Sequence, residues 1–108
     1  MVVTIAQRKA RKVEQLRSAS QEVIAGLRAY ALEHAGRFLI FGSVARGDIR
    51  PDSDFDAVVD FPASFERAAR AYAEEACRRY GLTPDILLIS DVSPQLMSRV
   101  RRDAVTLP

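Results

Sequence analysis

The chain has 108 residues, 48% of them hydrophobic and 28% charged, which fits one globular domain and excludes a disordered or fibrous chain. No apolar run approaches membrane-spanning length, and the lone cysteine, Cys77, excludes an intramolecular disulfide, so a cytoplasmic setting away from membranes is expected. The formal net charge of +2 is unevenly spread: residues 44–60 hold five aspartates against Arg46 and Arg50, a local −3 that leaves +5 elsewhere.

Thr4 and Gln7 are spaced as a capping box, and apolar residues recur at Val13, Leu16, Val23, Ile24, Leu27 and Ala31. That spacing predicts a long amphipathic helix stopped near Gly36. Residues 37–41, apolar and bounded by glycines, predict a buried strand, and Ser43 to Gly47 a short helix. Gly47 and Pro51 break the chain before a second strand over 54–61. In it Asp54, Asp56 and Val58 share one face, while Phe55, Ala57 and Val59 share the other. Pro62 and Ser64 are expected to start a helix with an apolar face of Phe65, Ala68, Ala69, Tyr72, Ala73, Ala76 and Tyr80, ended by Gly81. Cys77 lies on that face as a small buried thiol. A third strand over 84–89 carries Asp85 at its start. Ser93 and Pro94 read as N-cap and first helical position of a last helix through Leu96, Met97 and Val100. Residues 104–107 are a frayed end or a short edge strand. The order implies one α/β domain over 1–108, a small mixed sheet of about three to four strands flanked by helices, whose first two strands can run antiparallel across their short link.

The chemistry concentrates between Phe41 and Asp56. Two residues apart on one strand, Asp54 and Asp56 project from the same face, where two like charges force protonation of one unless a cation neutralises both. Mg²⁺ suits them, because it takes oxygen ligands from one or two carboxylates and the rest from water and phosphate. Asp85, opening an adjacent strand, can complete a three-carboxylate metal cluster. Alone, such a pair is more often a plain turn-strand boundary. Gly42-Ser43 changes the weighing: a strand running through Gly-Ser into a helix aims backbone N–H groups and a hydroxyl at one anion. The loop is not a Walker A motif, since Gly47 is followed by Asp48, and no dinucleotide-binding glycine pattern occurs.

Gly42-Ser43, ten intervening residues and Asp54-Phe55-Asp56 together resemble the signature of the DNA polymerase β-like nucleotidyltransferase superfamily. The fuller run, Gly42-Ser43-Val44-Ala45-Arg46-Gly47 with Ser53-Asp54-Phe55-Asp56, is similar to its minimal nucleotidyltransferase branch. The likeness covers roughly residues 37–90. It implies a palm-like nucleotidyltransferase fold in which Asp54 and Asp56 bind catalytic Mg²⁺. Asp85 is then the third carboxylate, metal ligand and base toward the acceptor hydroxyl. Gly42 and Ser43 would hold the β- and γ-phosphates of ATP, helped by Arg46. The reaction implied is attack of a hydroxyl on the α-phosphorus with release of pyrophosphate, a reaction run largely by positioning and charge neutralisation.

Larger superfamily members append an acceptor-binding domain, and none is read here, so the acceptor is expected from another chain. The minimal branch implies the antitoxin of a toxin–antitoxin pair, adenylylating a tyrosine of a HEPN-domain ribonuclease. Two other readings stand beside it. One is an antitoxin that neutralises by contact alone. The other is a transferase for a small molecule or RNA, acting as a homo-oligomer or with a separate subunit. Three tyrosines, no tryptophan and scattered arginines give little support to nucleic acid. His34 is expected at helix-terminal carbonyls, and Tyr30, Tyr72 and Tyr80 in the core. The basic residues from Arg8 to Lys12 and Arg99, Arg101 and Arg102 are expected to be solvated, ahead of a second reading in which they grip an acidic partner.

Overall fold

The computed structural model describes residues 2–108. In chain order it contains α1 (Ile5–His34), β1 (Arg37–Phe41), α2 (Gly42–Arg46), β2 (Phe55–Asp60), α3 (Glu66–Arg79), β3 (Pro84–Leu88), a 3₁₀ turn (Ile89–Asp91), α4 (Pro94–Asp103) and β4 (Val105–Leu107). The strands form one mixed sheet in the order β3-β2-β1-β4. β1 pairs antiparallel with both β2 and β4, while β2 and β3 run parallel. A parallel pair needs a crossover, and α3 supplies it. The tail after α4 thus resolves as an edge strand, seated by the fully buried Leu107.

The two faces of the sheet are covered by different helices. α1 and α3 bury Phe38, Ile40, Phe55, Ala57 and Val59 on one side. On the other, Val100 of α4 packs on Leu39 and Val58, with Phe41 and Leu96 at the margin. Each large side chain fully removed from water, such as Phe38 or Phe55, contributes about 1.5–3 kcal/mol. Strand alternation puts Asp56 on the α4 face with Val58, while β2 starts one residue later than expected and leaves Asp54 in the preceding loop.

α1 begins as a capping box, with Thr4 Oγ1 accepting from the Gln7 amide (3.1 Å) and Gln7 Oε1 from the Thr4 amide (2.9 Å). Its buried stripe is Leu16, Ser20, Val23, Leu27 and Ala31. The helix ends one residue earlier than the glycine implies. Ala35 takes the left-handed cap position with φ 55°, and Gly36 serves a different need. The Phe61 ring occupies the space a side chain at 36 would fill, so only hydrogen fits there.

α3 also differs from expectation. It starts at Glu66 with Phe65 as a cap that makes no side-chain hydrogen bond, so Ser64 plays no capping part. The buried stripe is Ala69, Ala73 and Cys77, four residues apart, because small side chains let α3 approach the sheet closely. Phe65, Tyr72 and Tyr80 fall on the flank, 51%, 38% and 43% exposed, rather than in the core. Tyr72 instead stacks on Tyr30 at 4.3 Å, and the His34 ring lies 4.1 Å from Tyr30 on the other side. Burial pushes the Cys77 thiol up to about 12, which leaves it inert. No helix among the described residues is long and apolar enough to cross a membrane.

Candidate active site

Asp56 sits at the centre of the site because the sheet registers it there. Across the antiparallel pair it faces Phe41, the last residue of β1, and across the parallel pair it faces Asp85. Asp54 lies two residues before it, exposed, at the end of the loop from α2. That loop is closed by reciprocal bonds: the Arg50 amide donates to Ser53 Oγ (2.8 Å) and the Ser53 amide to the Arg50 carbonyl (3.0 Å). The Phe55 amide then donates to the Thr83 carbonyl (2.9 Å), fixing the start of β2 beside that of β3.

Gly42 brings the other half of the site into contact with this pair. It has φ 71°, in the left-handed region, and a Cβ there would overlap Asp56 Oδ2. Both constraints select glycine. Gly42 opens α2, and Phe41 before it provides no side-chain cap, so the first-turn N–H groups carry no capping partner. Ser43 is the second residue of this turn. Its carbonyl accepts from the amides of Gly47 (2.9 Å) and Asp48 (3.1 Å), which ends α2 after five residues.

The Asp56 carboxyl is pushed up to about 7. Partial burial is the largest cause, followed by a hydrogen bond with the Asp85 carboxyl, then the charges of Asp85 and Asp54; Arg46 opposes the shift. Asp56 therefore keeps a proton up to near neutrality, and a cation placed between it and Asp85 would relieve the same repulsion. That demand, met by an all-oxygen donor set beside an anion-binding turn, fits Mg²⁺. The expected three-carboxylate cage is less complete than the sequence implies. No set of three or more His, Cys, Asp or Glu side chains among the described residues is gathered closely enough to hold a metal. The register joins Asp56 to Asp85, whereas Asp54 contributes its charge from the end of a loop outside the strand ladder.

Arg46 does not point into a bare anion site. Its Nε donates to Asp48 Oδ2 and its Nη1 to Asp103 Oδ2, each at 3.3 Å. Those bonds tie α2 to the end of α4 and hold the guanidinium pKa above its ordinary value. The arginines of α4 are exposed, as the solvated reading expects, and Arg99 and Arg102 also line a cleft shared with Gly42 and Arg46. The signal was present as Leu96, Arg99 and Arg102, one helical turn apart on a single face.

A four-stranded mixed sheet with an acid pair across two strands, flush against a Gly-Ser turn, defines a nucleotidyltransferase fold. The chain belongs to the nucleotidyltransferase domain family, whose model matches residues 27–105. It is similar to a solved structure provisionally described as a minimal nucleotidyltransferase, with 29% identity and a TM-score of 0.59, over 86% of this chain and 93% of that one. Among curated proteins none matches the sequence. General nucleotidyl transfer is thus the chemistry of the family, and the site residues sit inside the matched span.

Proposed function

We propose that this chain is a minimal nucleotidyltransferase that moves AMP from ATP to a hydroxyl of a partner protein, a HEPN-domain toxin, and acts as its antitoxin. One observation carries the transferase part of the reading. Gly42 packs flush against Asp56, whose carboxyl in turn meets Asp85, so the anion-binding turn and the carboxylate pair are one contiguous surface. The protein acceptor and the toxin partner rest on the resemblance to the minimal branch alone; the similar structure supports the branch, not the acceptor.

The reaction balances simply. The acceptor oxygen bonds to the α-phosphorus, the α–β bridging bond breaks, pyrophosphate leaves, and the hydroxyl proton passes to a carboxylate or to water. Mg²⁺ held by Asp56 and Asp85, with Asp54 moving in to complete the set, would supply positive charge against the carboxylates and phosphates. The chain's own residues do the rest. Asp85 is exposed and adjacent to Asp56, a position from which it can take the acceptor proton. Gly42 and Ser43 present N–H groups and a hydroxyl to the phosphates. Rigid placement of these groups on a strand end and a five-residue helix is what the reaction needs most.

Incubation with ATP, Mg²⁺ and the HEPN partner, followed by intact masses, tests the reading. A gain of one or more AMP units on the partner, lost with Asp56→Ala, is the expected result. A tight complex without mass gain would instead favour neutralisation by contact.

A further inference from the structure

Beside Gly42, α2 and α4 enclose a cleft of about 210 Å³. Phe41 and Leu96 form its apolar lining, and Arg46, Arg99, Arg102 and Asp103 its charged lining. Asp103 organises the charges. Its side chain is only 17% exposed, and it uses one oxygen for each of two arginines: Oδ2 accepts from Arg46 Nη1 at 3.3 Å, and Oδ1 lies 3.7 Å from Arg102 Nε. A single largely buried carboxylate thus brackets guanidinium groups from two elements that are distant in sequence.

Three arginines against Asp103 and Asp48, which also accepts from Arg46, leave the cleft positive by one charge. Arg99, one turn before Arg102, makes no salt bridge among the described residues. Guanidinium groups held in fixed orientation are forks for oxygens of phosphate, which accept two parallel bonds from each. The position of the cleft decides which phosphate. Gly42 both lines the cleft and abuts Asp56, so the arginines lie next to the carboxylates at one turn. The cleft is also smaller than the roughly 300–1,000 Å³ of sites that enclose a whole drug-sized ligand, so it suits a fragment rather than a nucleoside.

Resting on the nucleotidyl-transfer reading, we propose that Arg99 and Arg102 of α4 join Arg46 in a polyphosphate-tail site. They bind the β- and γ-phosphates of the incoming nucleoside triphosphate in the cleft that Gly42 lines. The site takes inorganic tripolyphosphate or pyrophosphate for the same reason it takes the tail. Asp103 keeps Arg46 and Arg102 aligned while the site is empty of anion, and Arg99 supplies the unneutralised charge.

Calorimetric titration of the full chain with ATP, AMP and inorganic tripolyphosphate, at fixed ionic strength and with Mg²⁺, tests this. Arg99→Ala/Arg102→Ala should weaken ATP and tripolyphosphate at least 10-fold and AMP less than 2-fold. Arg101→Ala is the control, because Arg101 lines a different cleft with Arg37 and Thr106 on the other side of α4; it should change all three less than 2-fold. Arg99 and Arg102 are exposed, so folding is not at stake, and Arg99→Gln/Arg102→Gln keeps side-chain length as a second variant. A double variant that binds ATP like Arg101→Ala overturns the α4 site and leaves the transferase reading intact. A wild-type chain that binds no ATP at all overturns the reading and this inference together.

Discussion

Gly42 and Asp56 touch so closely that the space for a Cβ at 42 is filled by Asp56 Oδ2. The glycine ends one strand, the aspartate stands in register beside that end on the next, and Phe41↔Asp56 is the last rung joining them. The Gly-Ser turn and the carboxylates therefore cannot move apart without breaking the sheet. The site is built into the ladder itself.

Gly42→Ala should reduce nucleotidyl transfer by more than 100-fold, because it strains the backbone and displaces the Asp56 carboxylate together. The strain of an ordinary residue at positive φ costs about 1–3 kcal/mol. Gly47→Ala separates the two effects. Gly47 has φ 79° but nothing within 4 Å of its missing Cβ, so that variant should lose similar stability and keep activity within about threefold. Comparison of melting temperature and transfer rate for the pair checks it. Equal activity losses in both would mean that strain, not displacement of Asp56, is what matters.

Asp56 predicts an unusual pH dependence in metal-free solution. Its carboxyl moves from the ordinary 3.8 up to about 7, so between those values the folded chain keeps a proton that the unfolded chain has lost. Stability from this group is full below about pH 4, declines as pH rises through about 7, and is level above that. Partial solvent exposure trims the effect to about 1–2 kcal/mol. In EDTA, wild type minus Asp56→Asn should therefore fall from pH 5 to pH 8 when followed by denaturant midpoints. Excess Mg²⁺ at pH 8 should stabilise wild type and leave Asp56→Asn nearly unmoved. Parallel pH curves for the two proteins would remove the proposed Asp56–Asp85 repulsion.

Local signals made the heart of the site legible in the sequence. Asp54 and Asp56 announce their shared face by strand alternation alone, and Gly42-Ser43 marks the turn because few other residues permit it. Thr4 with Gln7 and Ser93 with Pro94 likewise fix helix starts through short-range bonds. What stayed hidden depends on distant pairing. Asp85 was read as a neighbour of Asp56, but their exact pairing needs the parallel register of β2 and β3, and the Arg46–Asp103 bond spans 57 residues. The α3 face was misjudged because large aromatics were weighted over alanines, although close helix-sheet packing selects Ala69 and Ala73 for the interior. Gly36 looked like a helix stop, while its neighbour Ala35 takes the left-handed cap and Gly36 yields room to Phe61.

That last relationship has its own consequence. Gly36→Ala should destabilise the fold by about 2–3 kcal/mol, because the added methyl would overlap the buried Phe61 ring and overpack the core. Phe61→Leu removes the ring edge and should itself cost stability, yet the double variant should be less destabilised than the sum of the two. Chemical denaturation of all four proteins measures the coupling. Strict additivity would show that Gly36 is needed for its backbone rather than for the ring.

Ser20 offers the opposite case, a place where the native residue works against stability. It lies on the buried stripe of α1, 3% exposed, between Leu16 and Val23, and its Oγ has no hydrogen-bond partner among the described residues. An unsatisfied buried hydroxyl carries a desolvation penalty, and serine is a poorer helix former than alanine by a few tenths of a kcal/mol. Ser20→Ala removes both at the cost of one oxygen's volume. The variant should therefore be more stable by about 1 kcal/mol in urea, with transfer activity unchanged, since α1 packs on the face of the sheet opposite Asp56. A loss of stability instead would mean that the hydroxyl is satisfied in solution, by a buried water or by a rotamer bonding back to the Leu16 carbonyl.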